Sequence, residues 1–169
     1  MKNKLDTTLM YKLLNKVVDI LNENKIPYHL DCGTLLGCIR EDAILEHDTD
    51  VDVTIHLSNW EQLTKINFNN YGLKKKRQHN GKHKLISVEI DRKTYCDIYA
   101  NPAFPLLETR VMNDKTYSIP VCSELYLTQL YGDWKKPSGK HADWPILFYN
   151  ALLTSEYAKN WDPNFKIMK

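Results

Sequence analysis

The chain has 169 residues, 43% of them apolar, and sets 23 Lys and Arg against 21 Asp and Glu for a formal charge of +2. That apolar share, with aromatic residues spread along the whole length, excludes a disordered polymer, and the small positive excess gives no strong nucleic-acid signal. The length suits a single domain over 1–169, with a core at about 5–100 and a smaller portion at about 101–169.

The first predicted element is a helix. Leu9, Leu13, Leu14, Val17, Val18, Ile20 and Leu21 recur at three- and four-residue spacing, Asp6-Thr7-Thr8 supplies a cap, and Asn24-Lys25-Ile26-Pro27 a stop. This N-terminal stretch has no apolar signal-peptide core, and no segment approaches the ~18–20 apolar residues of a membrane span. Cys32, Cys38, Cys96 and Cys122 lack C-x-x-C spacing and any zinc set. The expectation is a soluble cytoplasmic protein with reduced, mostly buried thiols.

Tyr28 to Cys32 reads as a buried strand running into Gly33-Thr34, after which Leu35, Leu36 and Ile39 have helical spacing. A strand-to-helix turn through Gly-Thr offers unpaired N–H groups and a positive helix end, a ready anion site. Thr34 is the expected cap, and Gly33 the point of close phosphate approach. An ordinary turn with a Thr cap fits the same residues. Arg40 ends the helix, either as a phosphate ligand or as a cation favoured at a helix C-terminus.

Glu41 to His47 is a predicted loop, and Asp48 to His56 the second strand. Alternation places Asp50 and Asp52 on one face, ~6.6 Å apart, with Val51, Val53 and Ile55 on the other. Paired carboxylates repel and are costly to desolvate, which a hard divalent cation relieves, although a wet acidic face has the same pattern. His47 and Asp48 lie beside the pair, as site residues or as hydrogen-bonding loop residues.

Ser58 with Glu61 signals a capped short helix through Leu63 and Ile66, and Asn69 to Gly72 a turn. Lys74-Lys75-Lys76-Arg77 and Asn80-Gly81 read as a charged strand and its turn: a solvated sheet edge, or a steering patch for a polyanion. Two strands follow, Leu85–Ile90 and Thr94–Tyr99. The second carries Asp97 among apolar neighbours, a placement that is expensive unless the carboxylate is paired or bound to metal. Beside the second strand, Asp97 would complete a three-carboxylate cluster fit for one or two cations.

Past Asn101-Pro102 the sheet pattern breaks. A short strand is expected at Thr116–Pro120, a helix at Ser123–Leu130, stop signals at Gly132 and Pro137, and a last helix from Pro145 to about Tyr157. Tyr131, Trp134 and Trp144 surround Lys135, Lys136 and His141. Tyr131 and Trp134 are thus possible substrate-cleft walls, or else a satellite core.

Leu30-Asp-Cys-Gly-Thr-Leu-Leu-Gly-Cys-Ile-Arg40, His47-Asp-Thr-Asp-Val-Asp-Val53, Cys96-Asp-Ile-Tyr99 and Tyr131-Gly-Asp-Trp-Lys-Lys-Pro137 together resemble the LicD/fukutin family, in order and in spacing. The resemblance implies an α/β (α+β) nucleotidyltransferase-like mixed sheet flanked by helices, with a small helical C-terminal portion. It implies a phosphotransferase that moves a phosphorylated alcohol, such as phosphocholine or ribitol phosphate, from a CDP-linked donor to a glycan or other hydroxyl acceptor. By the same resemblance Gly33 and Thr34 meet the nucleotide phosphates, Asp50 and Asp52 hold Mg²⁺ or Mn²⁺, and Asp97 is the third acid. Thr49 departs from the unbroken acidic triplet of many relatives, and there is no inserted zinc loop. Two other functions suit the same residues: a small nucleotidyltransferase adding NMP to a small molecule, protein or nucleic acid, and an inactive nucleotide- or partner-binding domain.

Overall fold

Apolar residues at helical spacing fold Thr7–Glu23 into α1. Met10, Leu13, Leu14, Val17, Val18 and Leu21 are wholly buried along one face. Each such side chain contributes roughly 1.5–3 kcal/mol by leaving water, which holds a helix whose isolated form would be marginal. The structure, a computed structural model, describes residues 7–102 and 104–137. Asp6 of the expected cap, His141, Asp143, Trp144 and the helix expected from Pro145 lie outside the described residues.

The strand after α1 is shorter than its apolar run suggests. β1 is Tyr28–Leu30, because Asp31 leaves the strand to cap α2, Cys32–Glu41, accepting the Cys32 N–H at 2.7 Å. The expected cap, Thr34, lies inside the first turn of α2 and has another task. β2 is Asp50–His56. A 3-10 turn at Leu57–Asn59 leads into α3, Trp60–Thr64. Ser58 does not cap α3; its N–H donates instead to the His56 ring.

A second 3-10 turn, Phe68–Tyr71, leads to β3, Lys74–His79, followed by β4, Lys84–Glu89, and β5, Tyr95–Asn101. The five strands form one mixed sheet in the order β1-β2-β5-β4-β3, with β2 and β5 parallel and the other pairs antiparallel. Val51, Val53, Ile55, Ile86, Val88, Cys96 and Ile98 make its buried apolar face, against which α1 packs. The cationic run is an edge strand, as its composition predicts.

The portion after Asn101 opens with a second sheet, where the sequence suggested mainly helix. β6, Leu107–Met112, and β7, Lys115–Pro120, form a hairpin. Its turn residues Asn113 and Asp114 have φ of 48° and 61°, the left-handed pair that a two-residue hairpin of this twist needs. β6 escapes notice because Glu108, Thr109 and Arg110 interrupt its apolar pattern and Val111 faces solvent. The buried Tyr117 of β7 bonds Asn15 at 2.5 Å and Lys115 pairs with Asp19 at 2.6 Å, fastening the hairpin to α1. α4, Ser123–Tyr131, lies against α2. Among the described residues no helix is long and apolar enough to cross a membrane.

Candidate active site

Pairing register brings the acids together. Asp52 lies opposite Asp97 across the parallel β2–β5 pair, and Asp50 precedes Asp52 by one strand repeat. Carboxylate oxygens of Asp50, Asp52 and Asp97 all lie within 4.8 Å of one another. Asp52 and Asp97 are 7% and 2% exposed, whereas Asp50 is half-buried.

The start of α2 fixes the middle acid. Thr34 Oγ1 accepts the Asp52 N–H at 2.9 Å, and the Asp31 N–H donates to the Asp52 carbonyl at 3.1 Å. Asp31 is held in turn by Thr54 Oγ1 and by the Tyr126 hydroxyl, each donating at 2.6 Å. Asp97 has a different escort. Ser87 Oγ donates to its Oδ1 in a short hydrogen bond, while Arg77 Nη2 at 2.7 Å and the Tyr99 hydroxyl at 3.3 Å donate to Oδ2. Arg77 Nε reaches Ser87 Oγ at 2.7 Å, so the guanidinium, the hydroxyl and the carboxylate close into one cluster.

A backbone irregularity selects Arg77 for this role. Lys75 pairs with Val88 and Arg77 with Ser87, so the strand carries one extra residue between them. A regular strand would present Lys76 at Ser87. Instead Lys76 pairs with Glu89 at 3.7 Å and lies over the Tyr95 ring.

The electrostatics follow from crowding. Burial is the largest force pushing the Asp52 carboxyl well above the ordinary carboxylate range, and Asp50 and Asp97 add to it. Asp50 is raised by burial and then by Asp97, with hydrogen bonds from Tyr95 and Thr49 opposing. The Tyr95 phenol is pushed up to about 12 by burial and Asp50. Three oxygen donors, mutually repelling and sheltered from water, suit a hard divalent cation such as Mg²⁺ or Mn²⁺.

The other candidate residues are more scattered. A Cβ built on Gly33 would strike the Asp48 carboxylate, so the side chain that uses this glycine's bare Cα is Asp48, at the start of α2. His47 is exposed in the preceding turn. Arg40 sits in the last turn of α2, at the end remote from the acids, donating to Glu41 at 2.7 and 3.0 Å and to the Trp134 carbonyl at 3.1 Å. The Tyr131 phenol is pushed up by burial, then by Cys32, Asp31 and Asp52, which places it toward the acids. Trp134 is 6% exposed and belongs to the core, its indole N–H donating to the Glu124 carbonyl and Thr128 Oγ1, both at 3.1 Å. It fastens the end of α4.

Asp31, Arg77, Ser87, Tyr95 and Tyr99 join the site from outside the candidates read in the sequence. Ser87 carries a signal of the same kind as Asp97, a polar side chain inside an apolar run.

Residues 25–120 match the family described as LicD/FKTN/FKRP, nucleotidyltransferase domain. An uncharacterised protein of Rickettsia typhi is 25% identical over 145 residues, covering 75% of this chain and 47% of its own length. Another, of Rickettsia prowazekii, is 37% identical over 46 residues, 27% of this chain and 17% of that protein. The chain thus spans about half of the first relative and less of the second. Among solved structures, the lincosamide antibiotic adenylyltransferase LnuA with lincomycin bound superposes with a TM-score of 0.55 at 14% identity, over 90% of this chain and 100% of that one. The antibiotic-resistance factor ANT(2'')-Ia does so with 0.55 at 15% identity, over 86% and 82%. These likenesses establish the fold, a mixed nucleotidyltransferase sheet flanked by helices.

Proposed function

Because the chain belongs to the LicD/FKTN/FKRP family of nucleotidyltransferase domains, we propose that it is a metal-dependent phosphotransferase. It moves a phosphorylated alcohol, such as phosphocholine or ribitol phosphate, from a CDP-linked donor to a hydroxyl of a glycan or similar acceptor. The observation that carries this reading is the gathering of three carboxylates within 4.8 Å, on adjacent strands and tied to the start of α2.

Asp50 and Asp52 hold the cation, with Asp97 completing the donor set. When bound, the cation neutralises charge on the donor diphosphate. The Gly33 and Thr34 N–H groups, which have no partners inside their own helix, are the donors placed for the phosphates. Arg40 stands at the far end of α2, His47 is exposed in the turn before β2, and Asp48 and Tyr131 border the cluster. Asp97 accepts the proton of the attacking hydroxyl as general base, oriented by Arg77 Nη2, which donates to its Oδ2 at 2.7 Å. The hydroxyl oxygen forms the new bond to phosphorus, the bond from phosphorus to the CMP oxygen breaks, and CMP leaves. The domain 1–169 would act as one unit, with the hairpin and α4 buttressing the acid-bearing sheet.

A second reading keeps the same site. In an NMP-transferring enzyme the acceptor hydroxyl would bond to the nucleotide's own α-phosphorus as the bond to the pyrophosphate oxygen breaks, and the shared fold with an antibiotic adenylyltransferase and an antibiotic-resistance factor favours keeping it in view. One screen separates the two. CDP-choline, CDP-ribitol, CDP-glycerol and plain NTPs are incubated with Mg²⁺ and the wild-type protein or its Asp50→Asn variant. Metal-dependent CMP from a CDP donor supports the phosphotransferase; pyrophosphate from an NTP moves the assignment to the second reading. Release unchanged in Asp50→Asn overturns both.

A further inference from the structure

The polar face of the sheet continues beyond the carboxylates. Register places Asp52, Asp97, Ser87 and Arg77 in one row across β2, β5, β4 and β3. One strand repeat further along, ~6.6 Å away, a second row holds Thr54, Tyr99, Leu85 and His79. Where this row meets the β3–β4 turn lies a recess of about 330 Å³ lined by His79, Gly81, Lys82, His83, Leu85 and Tyr99. An aromatic ring and an aliphatic side chain supply its apolar lining, and one lysine and two histidines supply the donors. Tyr99 belongs to both places: its ring lines the recess while its hydroxyl donates to Asp97 at 3.3 Å.

Position decides which substrate this recess would serve. The start of α2 bonds to Asp52 from the β1 side of the acids, through Asp31 and Thr34. The recess lies on the opposite, β4–β3 side. Phosphoryl transfer sets the entering and leaving oxygens roughly in line on opposite sides of phosphorus. With the nucleotide at α2, the acceptor therefore enters from the recess. Volume and lining then narrow its chemistry. At the small end of ligand pockets, the recess holds one sugar or polyol unit rather than a polymer. Cationic and N–H donors around an aromatic ring select for a negative charge on that unit.

We propose that the recess is an acceptor subsite for a single sugar or polyol unit bearing an anionic group, phosphate or carboxylate, with its reacting hydroxyl turned toward Asp97. Its role as acceptor subsite rests on the phosphotransferase reading, whereas its anion binding rests on the recess alone.

The test is a titration of metal-free protein with glycerol 3-phosphate, glycerate and neutral glycerol, following the ring C–H resonances of His79 and His83 by NMR. The expected result is a saturable shift with one anion or both, identifying phosphate or carboxylate, and none with glycerol. Binding should weaken about tenfold in Lys82→Gln, the loss of one charge-assisted contact. It should weaken also in His79→Gln and stay unchanged in Asp50→Asn; Lys82 and His79 are exposed side chains whose replacement leaves the core intact. Absence of a saturable shift, an equal response to glycerol, or wild-type binding by both recess variants overturns the proposal. Anion binding without nucleotide release in the donor screen would leave the recess standing and remove the phosphotransferase reading. Nucleotide release without anion binding would do the reverse.

Discussion

Asp52 lies between two carboxylates at 7% exposure, and burial and its neighbours all favour its neutral form. A carboxylate whose folded pKa is raised binds more protons in the folded state than in the unfolded one, so its ionisation costs stability as pH rises through that pKa. Asparagine escapes this cost. Asp50→Asn and Asp52→Asn should therefore unfold at higher urea than wild type in EDTA at neutral pH, while nucleotide release in Mg²⁺ disappears. Retained release would remove that residue from the site. Arg77 is the counterweight. Its guanidinium is 47% exposed, so losing its pair with Asp97 in Arg77→Gln should cost about 1–2 kcal/mol, less than the ~3–5 of a fully buried pair. The same change leaves one more unbalanced negative charge in the cluster, so Mn²⁺ should bind more tightly by titration calorimetry. Mn²⁺ affinity equal to wild type would show that Arg77 and the cation do not share Asp97.

At the scale of elements, alternation makes β2 and β5 legible, because Val51, Val53, Cys96 and Ile98 must face a core and the intervening acids must then face away. What alternation leaves open is register, and register is what sets Asp52 opposite Asp97. Asp31 stayed hidden for a similar reason, since its partners Thr54 and Tyr126 arrive from a distant strand and helix. The Lys74–Arg77 run reads correctly as an edge strand, yet only the bulge after Lys75 decides which cation reaches Asp97. Gly33 was legible as a point of close approach, although the approaching group is Asp48. Gly33→Ala should accordingly destabilise the protein by about 1–3 kcal/mol through overpacking. Most of that cost should vanish in an Asp48→Ala background, a non-additive cycle measurable by urea denaturation. Additive effects would place the two side chains out of contact. The burial of Trp134 and its bonds to α4 suit the satellite-core alternative. Trp134→Ala should cost about 3–5 kcal/mol and several degrees of melting temperature with the Michaelis constants unchanged.

Across the whole molecule, one continuous polar face runs from Arg77 on the outer strand to His29 on the opposite edge, which pairs with Thr54. His29 is fully buried between the rings of Phe104 at 5.3 Å and Tyr126 at 6.5 Å. Its Nδ1 lies 2.8 Å from the Leu30 carbonyl, which can only accept, so Nδ1 carries the proton and Nε2 is the bare nitrogen. Nε2 is buried and has no hydrogen-bond partner among the described residues. Burial lowers the His29 pKa below its ordinary value of 6.5, and Asp31, the charged group facing it, opposes that shift only in part. The unfolded chain therefore takes up a proton here at a pH where the folded protein does not. Stability from this residue is complete above the unfolded value and is lost as pH falls through it toward the folded one. Asp50 and Asp52 act in the opposite sense, losing stability as pH rises. A single pH profile of the wild type therefore mixes the two, and a comparison cancels the carboxylates. Urea unfolding free energies of wild type and His29→Phe, measured from pH 7.5 down to about 5, should diverge below about pH 6.5. The variant should gain on the wild type as pH falls, because phenylalanine has no proton to gain on unfolding. A difference that stays constant across that range would mean that His29 is protonated alike in both states and that the junction of β1, β2 and α4 is open to water.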